Sequence, residues 1–113
     1  KPDELIFINN LAKVFYETSQ YKKALPLLQK SILKNNDQFD IVKIAVKCMF
    51  ELNLKKDLDI FLSKVLIKHP DDYTLNWYYG RNLLKMSKHV AGLNVLKKSQ
   101  GVIEFDEKKF KVI

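Results

Sequence analysis

The sequence predicts an all-α chain of antiparallel helix pairs stacked as a solenoid with a period of about 34 residues. Three observations lead there. Polar punctuation recurs as KPDEL at Lys1–Leu5, KNNDQF at Lys34–Phe39 and KHPDDY at Lys68–Tyr73, and Pro2 and Pro70 lie two such periods apart. The 113 residues are 47% apolar with only three Gly and three Pro, so long stretches carry no helix breaker. Laid over itself in blocks of that length, the chain aligns apolar residues in columns: Leu28 with Leu62 and Leu96, Phe15 with Met49 and Leu83, and Ile32 with Leu66, where the third block has Gln100.

The blocks are 5–38, 39–72 and 73–106, and each reads as two helices. In the first block, Ile8, Leu11, Ala12 and Phe15 follow helical spacing, and Tyr21, Ala24, Leu28 and Ile32 do so again after a polar break. That break, ETSQ at Glu17–Gln20, recurs as ELNLKK at Glu51–Lys56 and KMSKH at Lys85–His89. Its Ser and Asn are expected to accept backbone hydrogen bonds at the start of the second helix. Pro26 lies inside that helix in the first block and is expected to bend it or delay its first turns. Lys34 and Lys68 suit helix C-termini, and Asp71 and Asp72 after Pro70 suit the start of the third pair. Small residues share columns, Ala12 with Gly80, Ala24 with Gly92 and Ser31 with Ser99, which points to close helix crossings, although the middle block holds Val46, Leu58 and Val65 there. Glu107–Ile113 opens where a fourth block would, with Phe110 and Ile113 in the columns of Val42 and Ala45. It reads as the start of a further repeat, or as a short capping helix or edge strand. Residues 1–113 are thus expected to form one domain cut from a longer array.

Bulk properties bound the function. The single cysteine, Cys48, excludes an internal disulfide and fits a reducing compartment, so a soluble cytoplasmic setting is favoured. No apolar run approaches the roughly 18 residues that span a bilayer. No signal peptide is visible, in a chain that opens in mid-pattern at Lys1. A net charge of +7, from 20 Lys+Arg against 13 Asp+Glu, suits an acidic partner, a nucleic acid or an anionic surface, and equally a solvated helix face. An enzyme would need a cluster that is missing: His69, His89 and Cys48 supply no triad or zinc set, and there is no Gly-rich loop. His69 reads as a turn residue, His89 as a helix opener and Cys48 as a half-buried apolar side chain. The chain is expected to be non-catalytic and to need no cofactor or metal.

The columns, with INNLAKVFYETSQYKKALPLLQKSI at Ile8–Ile32 and the His69–Pro70 that closes the second block, resemble the tetratricopeptide repeat (TPR) family. The resemblance covers Leu5–Asp106 and departs most in the second block, where Val46 and Leu58 replace small residues. It implies a right-handed superhelix whose first helices line a concave groove that holds a peptide or helix of a partner protein. The implied groove columns are Asn9, Lys43 and Trp77; Lys13, Lys47 and Arg81; Tyr16, Phe50 and Leu84. The middle column is basic throughout, and with the aromatic residues beside it suits an acidic peptide with apolar anchors. The family's carboxylate clamp is not reproduced, because its columns here hold Asn9, Lys13, Ile44, Thr74 and Tyr78.

Two other readings stand beside this one. Lys30, Lys64 and Lys98, with Lys22, Lys23, Lys55, Lys56, Lys88 and Lys97, fall on the second helices and could track phosphates of a nucleic acid or an anionic surface. The steady period counts against the nucleic-acid-binding pentatricopeptide family, whose repeats are one residue longer. Alternatively the open end at Phe110 and Ile113 docks the next domain or another copy of the chain, giving self-association through repeat ends.

Overall fold

The computed structural model describes residues 2–99. They form α1 (Pro2–Glu17), α2 (Tyr21–Lys34), α3 (Phe39–Glu51), α4 (Lys55–Lys68), α5 (Tyr73–Lys85) and α6 (His89–Ser99), with no strand among the described residues. Glu107–Ile113, read above as a cap or fourth repeat, and the side chain of Lys98 lie outside what is described. The helices α1, α3 and α5 end at Glu17, Glu51 and Lys85, and α2, α4 and α6 begin at Tyr21, Lys55 and His89, so both series are evenly spaced along the chain.

The helix ends explain this regularity. Ser19, Asn53 and Ser87 take φ of 61°, 58° and 64°. Their amides donate to the carbonyls of Tyr16, Phe50 and Leu84 at 3.0, 3.1 and 3.0 Å. The following amides, of Gln20, Leu54 and Lys88, donate five residues back to Phe15, Met49 and Leu83 at 2.7, 3.0 and 2.8 Å. This is the Schellman closure, in which one left-handed residue satisfies carbonyls that a helix end leaves open. The expectation for the break residues is therefore corrected: they terminate the first helix and do not cap the second, and the N-cap of α2, Gln20, makes no side-chain cap bond. Asp72 does cap α5, accepting the Leu75 amide at 2.9 Å, and Lys34 and Lys68 close α2 and α4. α2 runs from Tyr21 through Pro26, so its start is not delayed; Pro26 is exposed, and water can serve the Lys22 carbonyl that the proline cannot.

Contacts group α1–α3 into a compact unit within Lys1–Leu54 and α4–α6 into a second that begins at Lys55. In the first, the end of α2 returns to the start of α1, where Lys34 Nζ meets Glu4 Oε1 at 3.3 Å and holds the Glu4 carboxyl below its ordinary pKa. Ala12, Ala24, Leu28, Ile41, Ala45 and Val46 are buried there. Cys48 is fully buried rather than half-buried, and burial, followed by the charge of Glu51, pushes its thiol pKa up to about 11.

In the second unit, Leu58, Leu62, Leu75 and Leu83 are buried. The expected close crossing is found between α5 and α6: a Cβ on Gly92 would lie 2.9 Å from the Gly80 carbonyl oxygen and 2.9 Å from Leu84 Cδ2. Buried Asn82 fastens α5 to the start of α4 by donating to the Lys55 carbonyl at 3.0 Å. Buried Asn76 donates to the Pro70 and Asp72 carbonyls, both at 2.9 Å, and ties the loop to α5.

These contacts set three stability outcomes. Gly92→Ala gains about 1 kcal/mol of helix propensity but meets a backbone oxygen that cannot step aside, at a cost of about 1–3 kcal/mol. Thermal denaturation should show a lower Tm; an unchanged or higher Tm would remove the close crossing. Ser87→Gly relieves a left-handed residue of about 1 kcal/mol and should raise Tm by a few degrees, whereas Ser87→Val should lower it. For Cys48 the folded chain binds the thiol proton more tightly than the unfolded chain does, so stability is full below about pH 9 and falls as pH rises toward 11. Urea midpoints at pH 8 and pH 10 test this, and a Cys48→Ala variant should lose that component of the decline.

Candidate interaction surface

In the first unit, Asn9, Lys13 and Tyr16 share a face of α1 at i, i+4 and i+7, and Lys43, Lys47 and Phe50 repeat that spacing on α3. The structure joins the two faces by three links. Asn9 Nδ2 donates to Gln38 Oε1 at 2.8 Å, Lys13 Nζ lies 3.8 Å from Asp40 Oδ2, and Lys47 Nζ sits 5.9 Å from the Tyr16 ring centroid. Residue numbers rise together along both helices, so α1 and α3 run parallel here.

The first link belongs to a closed cycle. Asn9 donates to Gln38, Gln38 Nε2 donates to Ser31 Oγ at 3.0 Å, and Ser31 Oγ donates back to Asn9 Oδ1. Gln38 Nε2 also reaches the carbonyls of Ser31 and Asn35 at 3.2 and 2.7 Å. Ser31 is buried, so the cycle satisfies a hydroxyl that would otherwise cost about 1–3 kcal/mol to leave unmade. Asn9, placed by the sequence among the groove residues, is thus engaged in holding α1, α2 and the start of α3 together.

The other two links lie nearer the surface. The Lys13–Asp40 pair is 42% and 70% exposed at the side chains, so it contributes a fraction of a kcal/mol and leaves the Lys13 charge in solvent. Tyr16 packs against Tyr21 with ring centroids 5.9 Å apart, and burial, with the nearby Tyr21, raises its pKa. Lys43 Nζ lies 4.5 Å from the Phe39 centroid on its own helix, and Phe50 is half-buried.

In the second unit, α5 carries Trp77 and Arg81. The Arg81 guanidinium carbon lies 5.5 Å from the Trp77 centroid, one turn along the helix, and Tyr78 meets Trp77 edge-on at 4.9 Å. Trp77 is half-buried and Arg81 exposed, so an immobilised ring stands beside a solvated cation. Leu84 reaches under the crossing and lies within van der Waals range of Gly92.

Sequence reasoning misses Gln38 and Phe39 as partners of Asn9 and Lys43, reads Ser31 only as a small residue at a crossing, and places Asp40, which pairs with Lys13, only as an acid tempering the basic columns. Their signal is position, since KNNDQF feeds α3 and the Ser31 column holds Ser again at Ser99. Lys22, Lys23, Lys30, Lys55, Lys56 and Lys64 are exposed on α2 and α4, as expected. Among the described residues no group of His, Cys, Asp and Glu could hold a metal ion, and no helix is long and apolar enough to cross a membrane.

No family model matches the sequence, and no curated protein matches it. Solved structures do. The similar structures include MamA MSR-1 C2, with TM-score 0.79 and 19% identity, covering 88% of this chain and 57% of that one. A second, MamA AMB-1, has TM-score 0.80 and 19% identity, covering 91% of this chain and 58% of that one. This chain therefore spans less than two thirds of the length of those chains. At this identity the likeness speaks for the fold, and with the six described helices it establishes a TPR-like helical fold for this chain.

Proposed function

We propose that the chain is a non-catalytic protein-interaction module of repeated helix pairs, whose first helices present cations and aromatic rings to a peptide or helix of a partner protein. The observation that carries this reading is the pairing of cation with ring on those helices: Lys43 with Phe39, Lys47 with Tyr16 and Arg81 with Trp77. Each pair contributes about 0.5–1 kcal/mol at an exposed site and holds a large side chain in one place before any ligand arrives. A partner then loses less entropy on binding, and an acidic segment with apolar anchors finds charge and contact area together. Lys13, Lys43, Lys47 and Arg81 supply the charge; Tyr16, Phe50 and Trp77 supply the area. Asn9 acts through the cycle with Ser31 and Gln38, which fixes the α1 and α3 faces in register. Cys48, buried with a raised pKa, is a poor nucleophile at neutral pH, which supports the non-catalytic part of the reading.

The test is binding of short acidic peptides carrying aromatic or Leu anchors, selected by display and measured by fluorescence anisotropy. Lys47→Glu should weaken the best ligand of the first unit, and the double variant Trp77→Ala, Arg81→Glu the best ligand of the second, each about tenfold or more, near 1.4 kcal/mol, with binding retained by the parent at about 0.15 M salt. If the parent instead prefers nucleic acid, is indifferent to these variants and releases its ligand steeply with salt, the reading fails. The exposed lysines of α2 and α4 would then be the site.

A further inference from the structure

Two of the second helices carry large apolar side chains on the side turned away from the core. Leu33 on α2 and Ile67 on α4 are the two most exposed large apolar side chains among the described residues, at 88% and 80%. Each stands one residue before the end of its helix, at Lys34 and Lys68. At about 100° per residue, Lys22, Pro26, Lys30 and Leu33 share an arc of about 80° on α2, and Lys56, Ile60, Lys64 and Ile67 share the matching arc on α4. All of these residues are exposed. Leu28 and Leu62, which are fully buried, lie on the far sides of the same two helices. Acids are sparse around the arcs. α2 contains none, and Glu4 of α1 meets Lys34 at its end; α4 has exposed Asp57 on the Lys64 side and half-buried Asp59 toward Lys55.

We propose that these arcs dock on an anionic lipid surface, with Leu33, Ile60 and Ile67 entering the headgroup layer and the flanking lysines meeting the lipid phosphates and carboxylates. Charge and shape both select this occupant. Lysine stems lie along apolar neighbours while their ammonium groups reach outward, so cation and apolar tip can engage one lipid surface together. Leu33 and Ile67 project from a helix ridge with no wall around them. A partner protein would have to bring a pocket for each, whereas a fluid lipid surface closes around any projecting tip. A nucleic acid would use the lysines and leave the apolar tips in water, and neither arc carries an aromatic ring on which a base could stack. Each compact unit holds one arc complete, so the inference needs no particular placement of one unit against the other. It uses the second helices and does not rest on the peptide-binding reading.

Co-sedimentation of the 113-residue chain with phosphatidylcholine vesicles, made with and without phosphatidylserine, tests this. The parent should bind the phosphatidylserine vesicles at about 0.15 M salt and the pure phosphatidylcholine vesicles about tenfold more weakly or less. The double variant Leu33→Ser, Ile67→Ser keeps every charge and every buried side chain, so its circular dichroism should match the parent while its affinity for the anionic vesicles falls about tenfold. Lys30→Glu with Lys64→Glu should abolish the preference for phosphatidylserine. Ile67→Trp, placed in a Trp77→Phe background, should shift its emission to the blue when anionic vesicles are added. A parent that binds no vesicles would overturn the proposal, as would an affinity unchanged by the serine variant or a tryptophan emission that does not move. A DNA duplex bound more tightly than the vesicles, and equally by parent and serine variant, would assign the arcs to nucleic acid instead.

Discussion

One left-handed residue at the end of each first helix sets the geometry on which the rest depends. At Ser19, Asn53 and Ser87 a positive φ lets the next amide reach back five residues, so the helix ends within a single residue and its last carbonyls are satisfied. The chain is then free to return along the helix it has just left. In α1–α2 the return brings Lys34 to Glu4 and Ser31 to Asn9; in α5–α6 it brings Gly92 to Gly80. A Ser in this conformation carries a steric cost that Gly would avoid. Sequence economy is therefore not what fixes the turn; packing on both sides of it does.

What the sequence shows and what it hides follow from this. Apolar columns at helical spacing report which side of a helix is buried, and Leu28, Leu62, Met49 and Leu83 are indeed buried. The polar breaks are legible, but the role of their Ser and Asn is not, because both residue types serve helix starts and left-handed ends alike. Gly80 and Gly92 are legible as a crossing because nothing larger fits between the helices. Asn9 reads in the sequence as a contact for a partner; its bonds go to Ser31 and Gln38, 22 and 29 residues away. Periodicity assigns a polar residue to a face and cannot say whether another helix supplies its hydrogen bonds.

Charge gives a similar lesson. Among the described residues the cations stand in two kinds of setting. On α2, Lys23 lies 5.7 Å from the Phe15 ring centroid and Lys34 pairs with Glu4, while Lys22, Lys30, Lys55, Lys56 and Lys64 are exposed on α2 and α4. On α3 and α5, Lys43, Lys47 and Arg81 lie against rings, and Lys13 on α1 lies near Asp40. A solvated lysine attracts any polyanion and yields to salt, whereas a cation seated on an immobilised ring adds a directional apolar contact that salt does not screen. Under the proposed reading, selectivity for a protein segment over a generic polyanion would rest on the rings more than on the number of positive charges.

The surface of α1 divides into three arcs. At about 100° per residue, Ile8, Ala12 and Phe15 fall within about 60° of each other, Asn9, Lys13 and Tyr16 within another 60° or so, and Phe7 and Val14 within about 20° on a third side. The first arc holds buried Ile8 and Ala12 and the second meets α3 and solvent, while the third stands open with two large apolar side chains. A helix that needed only a core would spend polar residues on the third arc. Phe7 and Val14 stand there instead, at positions where Ile41, Cys48, Leu75 and Asn82 are buried in the later first helices. The second and third arcs are well separated around the axis, so Phe7 and Val14 add nothing to the face that carries Lys13 and Tyr16.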